Sequence, residues 1–184
     1  MAAALDGRMI DGRHVTLAGF MGAGKTAVGR RLALALGRPF VDTDALIEAE
    51  AGMSVAAIFA REGEAAFRAR ERKAVAVACA MPPAVIAVGG GALGDAESRR
   101  RLLEAGPVIY LRATAEALLE RVGDAATRPL LASASTAAER LARIRTLLAE
   151  REPIYACATH VVDTTGLPLD AVVTRIRALL VEER

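Results

Sequence analysis

Short apolar runs rich in branched side chains alternate along the chain with longer stretches whose apolar positions recur at helical spacing. The runs at 14–18, 39–41, 85–88, 108–111 and 160–162 read as strands. Helical spacing predicts helices over 25–36, over 45–80 in pieces, and over 96–105, 115–122, 136–150 and 169–182. Gly52-Met53-Ser54 breaks the second of these stretches, and Ser54 is placed to cap the helix that follows. Strands separated by helical crossovers predict a layered α/β domain with a mostly parallel sheet. Residues 74–93 carry no charge and approach the length of a membrane span, but Pro82, Pro83 and Gly89-Gly90-Gly91 interrupt them. They read as a helix end, a turn, a buried strand and a glycine loop.

Composition narrows the partners. With 184 residues, 53% hydrophobic and 25% charged, the chain fits one globular domain. A net charge of +2 and 3% aromatics with no Trp give little basis for a nucleic-acid groove. The charge is skewed, however: 22 of the 24 basic residues are arginine and only Lys25 and Lys73 are lysine. Planar guanidinium forks suit bidentate capture of carboxylate and phosphate. Cys79 and Cys157 have no neighbouring Cys or His at zinc-ligand spacing and read as buried thiols. Residues 1–13 hold Asp6 and Asp11 and no long apolar run, so they read as a tail on a domain over 14–184, expected in the cytoplasm without a membrane partner. Residues 123–135 have weak periodicity and contain Arg128, which reads as a surface loop or a lid.

The strongest motif is Gly19-Phe20-Met21-Gly22-Ala23-Gly24-Lys25-Thr26, preceded by a strand pattern and followed by a helix pattern. In a loop of this kind, backbone N–H groups turn around phosphates at a helix N-terminus, the lysine neutralises the terminal phosphates, and the threonine hydroxyl can ligate Mg²⁺. Asp42-Thr43-Asp44 closes the second strand at the carboxyl edge of the sheet, where ligands bind in open α/β folds. Residues two apart in an extended segment point the same way, so both carboxylates can serve one site; the ordinary alternative is that one of them caps the next helix. Arg68 and Glu71 are three apart on a helix, a prepared anion clamp or a solvated ion pair. Phe59 and Phe67 read as core. Gly89-Gly90-Gly91 follows the third strand and lets a ligand approach bare backbone. Arg151 lies at the end of a long helix, with Pro153 and Tyr155 after it, where it can also complement the helix C-terminus.

In this order, together with Arg128-Pro129-Leu130-Leu131 and Arg151-Glu152-Pro153-Ile154-Tyr155, these motifs resemble the shikimate kinase family over nearly the whole chain from about residue 14. The resemblance implies a three-layer P-loop, nucleoside-monophosphate-kinase-like α/β fold. Its five-stranded parallel sheet is flanked by helices, with a lid over about 123–135 and a substrate-binding region over about 42–71. It implies ATP and shikimate as substrates, Mg²⁺ as cofactor, a monomer, and transfer of the γ-phosphate to the shikimate 3-hydroxyl on the way to chorismate and the aromatic amino acids. Gly22, Ala23, Gly24, Lys25, Thr26 and Ala27 resemble the nucleotide-binding loop, and Thr26 and Asp42 the magnesium side. Lys25 and Arg128 resemble the cations on the transferring phosphate, and Arg121 an arginine lying against adenine. Asp44 resembles the acid that holds the ring hydroxyls and accepts the proton. Arg68 and Arg151 resemble the carboxylate grip, with Glu71 bracing Arg68 and Gly90, between Gly89 and Gly91, the backbone contact to substrate. Two alternatives compete. Another small-molecule kinase of this fold, such as a gluconate kinase, would share the P-loop without needing the paired arginines. A nucleotide-binding regulator without turnover is opposed by Lys25, Thr26, Asp42, Asp44 and Arg128, all of the type that turnover requires.

Overall fold

The structure is a computed structural model that describes residues 12–122, 131, 134 and 136–182. In chain order the elements are β1 (Val15–Ala18), α1 (Lys25–Leu36), β2 (Phe40–Asp42), α2 (Thr43–Ala51), α3 (Val55–Ala80) and β3 (Val85–Ala87). There follow a 3₁₀ turn (Ala92–Gly94), α4 (Ala96–Ala105), β4 (Val108–Arg112), α5 (Ala115–Val122), α6 (Ala137–Tyr155), β5 (His160–Asp163) and α7 (Leu169–Glu182). All five strands pair in parallel in the order β2-β3-β1-β4-β5. No helix among the described residues is long and apolar enough to cross a membrane.

Alternation along the strands builds the layers. On β4, Ile109 and Leu111 enter one buried cluster with Leu32, Leu118, Ile144 and Ile176, so α1, α5, α6 and α7 contribute to that layer. Val108 and Tyr110 face the other way, into a cluster with Val75, Ile86, Leu102 and Tyr155. Both faces of the sheet are therefore covered, which is why its strands read as nearly continuous apolar runs. Because every strand runs the same way, the loop after β1, the end of β2 and the glycines after β3 emerge at one edge. The chain leaves β1 for β2 and β3 on one side and reaches β4 on the other, the topological switch point at which such sheets form a crevice.

Two helix boundaries differ from the sequence reading, and the Ser54 cap lies where that reading put it. Helix α2 begins at Thr43 because Asp42 serves as its N-cap, accepting from the Asp44 N–H at 3.1 Å. Helix α3 starts where Ser54 accepts from the Ala57 N–H at 3.2 Å, and it bends at Gly63, whose φ of 82° lies outside the helical range. Helix α6 opens with a full capping box between Thr136 and Glu139 and continues through Pro153 to Tyr155 rather than stopping at 150. Proline there forfeits one helical hydrogen bond, and burial of Tyr155, only 1% exposed, offsets that loss. The cysteines are half-buried rather than buried.

The turn between α4 and β4 tests how tightly the sheet is seated. Gly106 has φ 152°, and a Cβ there would strike the backbone carbonyl of His14. His14 is itself held by its N–H donating to Ala105 at 2.9 Å. Gly106→Ala is expected to cost about 2 kcal/mol or more in unfolding free energy. Thermal denaturation reads this as a lower Tm, and an unchanged Tm would mean that the turn relaxes freely.

Candidate active site

One cleft of about 1060 Å³ runs along the carboxyl edge of the sheet, from the loop before α1 to the glycines after β3. At its first end Gly24, with φ 92°, turns the chain into α1 without a side-chain cap, leaving the first N–H groups of the helix facing the cleft. Gly22, Gly24, Lys25, Thr26 and Ala27 line this end. Ala23 does not: its side chain is buried in the core and its N–H is given to the Phe20 carbonyl at 3.1 Å. The Lys25 ammonium donates to the carbonyls of Gly19 at 2.8 Å and Phe20 at 3.1 Å, folding back along its own loop.

Asp42 and Asp44 converge, though not as two extended residues. Asp42 ends β2 and divides its carboxylate: Oδ1 caps α2, and Oδ2 accepts from the Thr26 hydroxyl at 3.0 Å. The capping alternative therefore holds for Asp42, and its second oxygen stays on the cleft side beside Thr26. Asp44 sits in the first helical turn, and its Oδ1 is buried without a hydrogen-bond partner. Burial pushes its carboxyl up from the ordinary 3.8 to about 6, with Asp42 adding repulsion, Lys25 opposing, and Glu71 and Glu48 adding more.

The other end of the cleft sets two arginines among acidic side chains. The Arg68 guanidinium donates to Glu71 at 2.7 Å and to Glu64 at 3.0 and 3.2 Å. Glu71 is buried at 2% exposure; burial pushes its carboxyl up while Arg68 pulls it back. Arg151, from α6, lies over the Phe20 ring at 5.4 Å. The glycine run fits between these groups. A Cβ on Gly89 would meet the Glu71 carboxylate and lie 3.1 Å from Asp44 Oδ1. One on Gly90 would lie 3.0 Å from the Arg151 guanidinium, and one on Gly91 would overlap the Arg68 guanidinium. Gly89 and Gly90 line the cleft, whereas Gly91 supports Arg68 from below. Arg121 also lines the cleft and donates to the Thr164 hydroxyl at 2.9 Å and carbonyl at 2.7 Å. Arg128 and most of 123–135 lie outside the described residues.

Phe59 and Phe67, read as core, are both core and cleft wall, with ring centroids 4.6 Å apart. Sequence reasoning passed over Thr43, whose buried hydroxyl accepts from the Gly89 N–H at 3.2 Å, and Glu48, which accepts from the Val55 N–H at 2.9 Å. It also gave Tyr155 no role, although its hydroxyl donates to the Gly90 carbonyl at 2.7 Å. Its spacing of four from Arg151 on one helix was the available signal.

A glycine-loop phosphate cradle joined through one cleft to a buried carboxylate and two arginines defines a P-loop enzyme acting between a nucleotide and a small anionic molecule. The sequence model described as Shikimate kinase matches residues 21–181. A shikimate kinase of Symbiobacterium thermophilum is 49% identical over 172 residues, 92% of this chain and 97% of the relative. The structure of a shikimate kinase from Acinetobacter baumannii in complex with shikimate superposes with a TM-score of 0.89 at 35% identity, over 95% of this chain and 96% of that one. The chain belongs to the shikimate kinase family. A gluconokinase from Sinorhizobium meliloti, 20% identical over 92% of this chain and 91% of its own, with a TM-score of 0.58, shares the fold alone.

Asp44 carries a testable cost. Its folded-state value lies above the unfolded one, so stability present below pH 3.8 is lost as pH rises through about 6. In metal-free protein, Asp44→Asn is therefore expected to raise the unfolding free energy by roughly 2 to 3 kcal/mol above about pH 7 and to change it little near pH 4. Identical Tm profiles for the two proteins across that range would remove the burial penalty.

Proposed function

We propose that this chain transfers the γ-phosphate of ATP to the 3-hydroxyl of shikimate, giving shikimate 3-phosphate and ADP, with the roles below assigned to its own residues. The observation that carries this reading is that Arg68 and Arg151, from different helices, line one cleft with Gly89, Gly90 and Asp44. That arrangement suits a carboxylate on one side of a ring and hydroxyls on the other.

Shikimate would place its carboxylate between the two guanidinium groups, where Glu71 and Glu64 hold Arg68 in a fixed orientation. Asp44 would orient the ring hydroxyls and accept the proton of the attacking one. A carboxyl pushed up to about 6 is nearer the operating pH than an ordinary aspartate, which improves it as a base. Phe59 and Phe67 would give the ring an apolar wall and exclude water. The loop over Gly22, Gly24, Lys25 and Thr26 would hold the phosphates, with Lys25 turning from its loop carbonyls to the transferring group. Arg121, fixed edge-on by Thr164, would present its plane to adenine, and Arg128 is assigned to the transferring phosphate by family likeness.

Mg²⁺ fits the donor set. The Thr26 hydroxyl and Asp42 Oδ2 are hard oxygens 3.0 Å apart, and a magnesium ion needs only one or two such protein ligands because it keeps its waters. When bound there it would neutralise phosphate charge. The chain's own contribution is alignment: hydroxyl and γ-phosphate brought in line, and charge on the transferring oxygens met by fixed cations.

Coupled ADP release with ATP, Mg²⁺ and shikimate, gluconate or a nucleoside monophosphate tests the assignment. Turnover is expected with shikimate alone, and its absence would sink the reading. Asp44→Asn should lower kcat by roughly a hundredfold or more. Arg68→Ala should mainly raise the KM for shikimate, by roughly thirtyfold. Unchanged shikimate KM in the Arg68 variant would remove that residue from the carboxylate grip.

A further inference from the structure

The last turn of α6 is tied to the glycine run by a single hydroxyl. Tyr155 is 1% exposed, and its O–H donates to the Gly90 carbonyl at 2.7 Å. Burial pushes this phenol up to about 12, against the pull of the neighbouring Arg151 charge and hydrogen bond, so it keeps its proton at ordinary pH. Its ring stacks on Tyr110 with centroids 4.5 Å apart, and the Tyr110 hydroxyl donates back to Glu152 of α6 at 3.0 Å. Arg151 stands one helical turn before Tyr155 and lies against the same glycine. Helix α6 holds its form past Pro153 to deliver this side chain.

We propose that Tyr155 is a positioning residue for the acceptor carboxylate: by joining the Gly90 carbonyl to the final turn of α6, its hydroxyl sets the spacing between Arg151 and the Gly90–Gly91–Arg68 side of the clamp. The inference rests on the reading of Arg68 and Arg151 as the carboxylate grip. The Tyr155 ring supplies the packing and the hydroxyl supplies the register. Removing the oxygen alone takes away the Tyr155 donor of the Gly90 carbonyl and leaves α6 free to shift against the glycine run, which a bidentate contact tolerates poorly.

The test is Tyr155→Phe in the full chain, alone and combined with Arg151→Ala, with Tm recorded for each protein. Tyr155→Phe is expected to raise the KM for shikimate about tenfold while kcat and the KM for ATP stay within about twofold. In the Arg151→Ala background the same substitution should add less than about twofold, because the group being positioned is gone. Full additivity of the two effects on shikimate KM would overturn the proposal, as would equal rises in both KM values or an unchanged shikimate KM. If the unmutated enzyme gave no shikimate-dependent ADP release, the functional reading itself would fail, a result separate from any of these. Should Tyr155→Phe fold poorly, replacement of Tyr155 by 4-aminophenylalanine keeps a donor at the same reach as the hydroxyl. Its recovery of shikimate KM toward the unmutated value supports the positioning role, and no recovery in a folded protein counts against it.

Discussion

Space at three consecutive α-carbons governs the arginine-bearing half of the cleft. Glu71, Arg151 and Arg68 each occupy, or nearly occupy, the position that a side chain on Gly89, Gly90 or Gly91 would fill. The glycines are therefore present for what they omit, and not for an unusual backbone angle: Gly91, for instance, has an ordinary φ of −105°. Any Cβ here would push a charged group out of a site whose opposing charges hold one another. This gives the run after β3 a structural reason independent of whether a ligand touches its backbone.

Those charges also explain why a chain with a formal net charge of +2 can still hold an anion. Arg68 is shared between two glutamates, one exposed and one buried, so the pair adds little net charge but fixes the direction of its donors. Asp44 and Glu71 present unpartnered buried oxygens toward the same glycine, and burial raises both. A cleft built in this way spends folding stability on orientation, which is the usual condition of a preorganised site.

Much of the fold was legible because the strands are short, apolar and separated by clear helical periods. Helices over 25–36, 96–105, 115–122 and 169–182 and the parallel α/β arrangement follow from periodicity alone. What periodicity missed is where local capping or distant packing decides. Helix α2 starts at Thr43 and not at 45 because the Asp42 side chain bonds the Asp44 N–H, so Asp44 enters the cleft from a helix. Helix α6 runs past its expected end at 150, through Pro153, to Tyr155, which is held by partners on β4 and after β3 that no local window contains. Phe59 and Phe67 looked like core, and they are, but a core side chain at the edge of a layer is also a wall.

The two ends of the cleft come close where Gly19 and Gly90 lie side by side. The Gly19 carbonyl accepts from Lys25 at 2.8 Å and also lies 3.4 Å from where a Cβ of Gly90 would be. Gly19 follows β1 and Gly90 follows β3, and these strands are direct neighbours paired from Val15 with Val85 to Leu17 with Ala87. The offset between the phosphate loop and the acceptor loop is thus inherited from the separation of paired strands, about 4.8 Å, and not from the loops themselves. Strand order accounts for the rest. With β1 between β3 and β4, the loop before α1 has the glycines after β3 on one side and the approach to α5, with Arg121, on the other. In-line transfer needs donor and acceptor held at a fixed small separation, and a rigid sheet edge provides that before either substrate arrives.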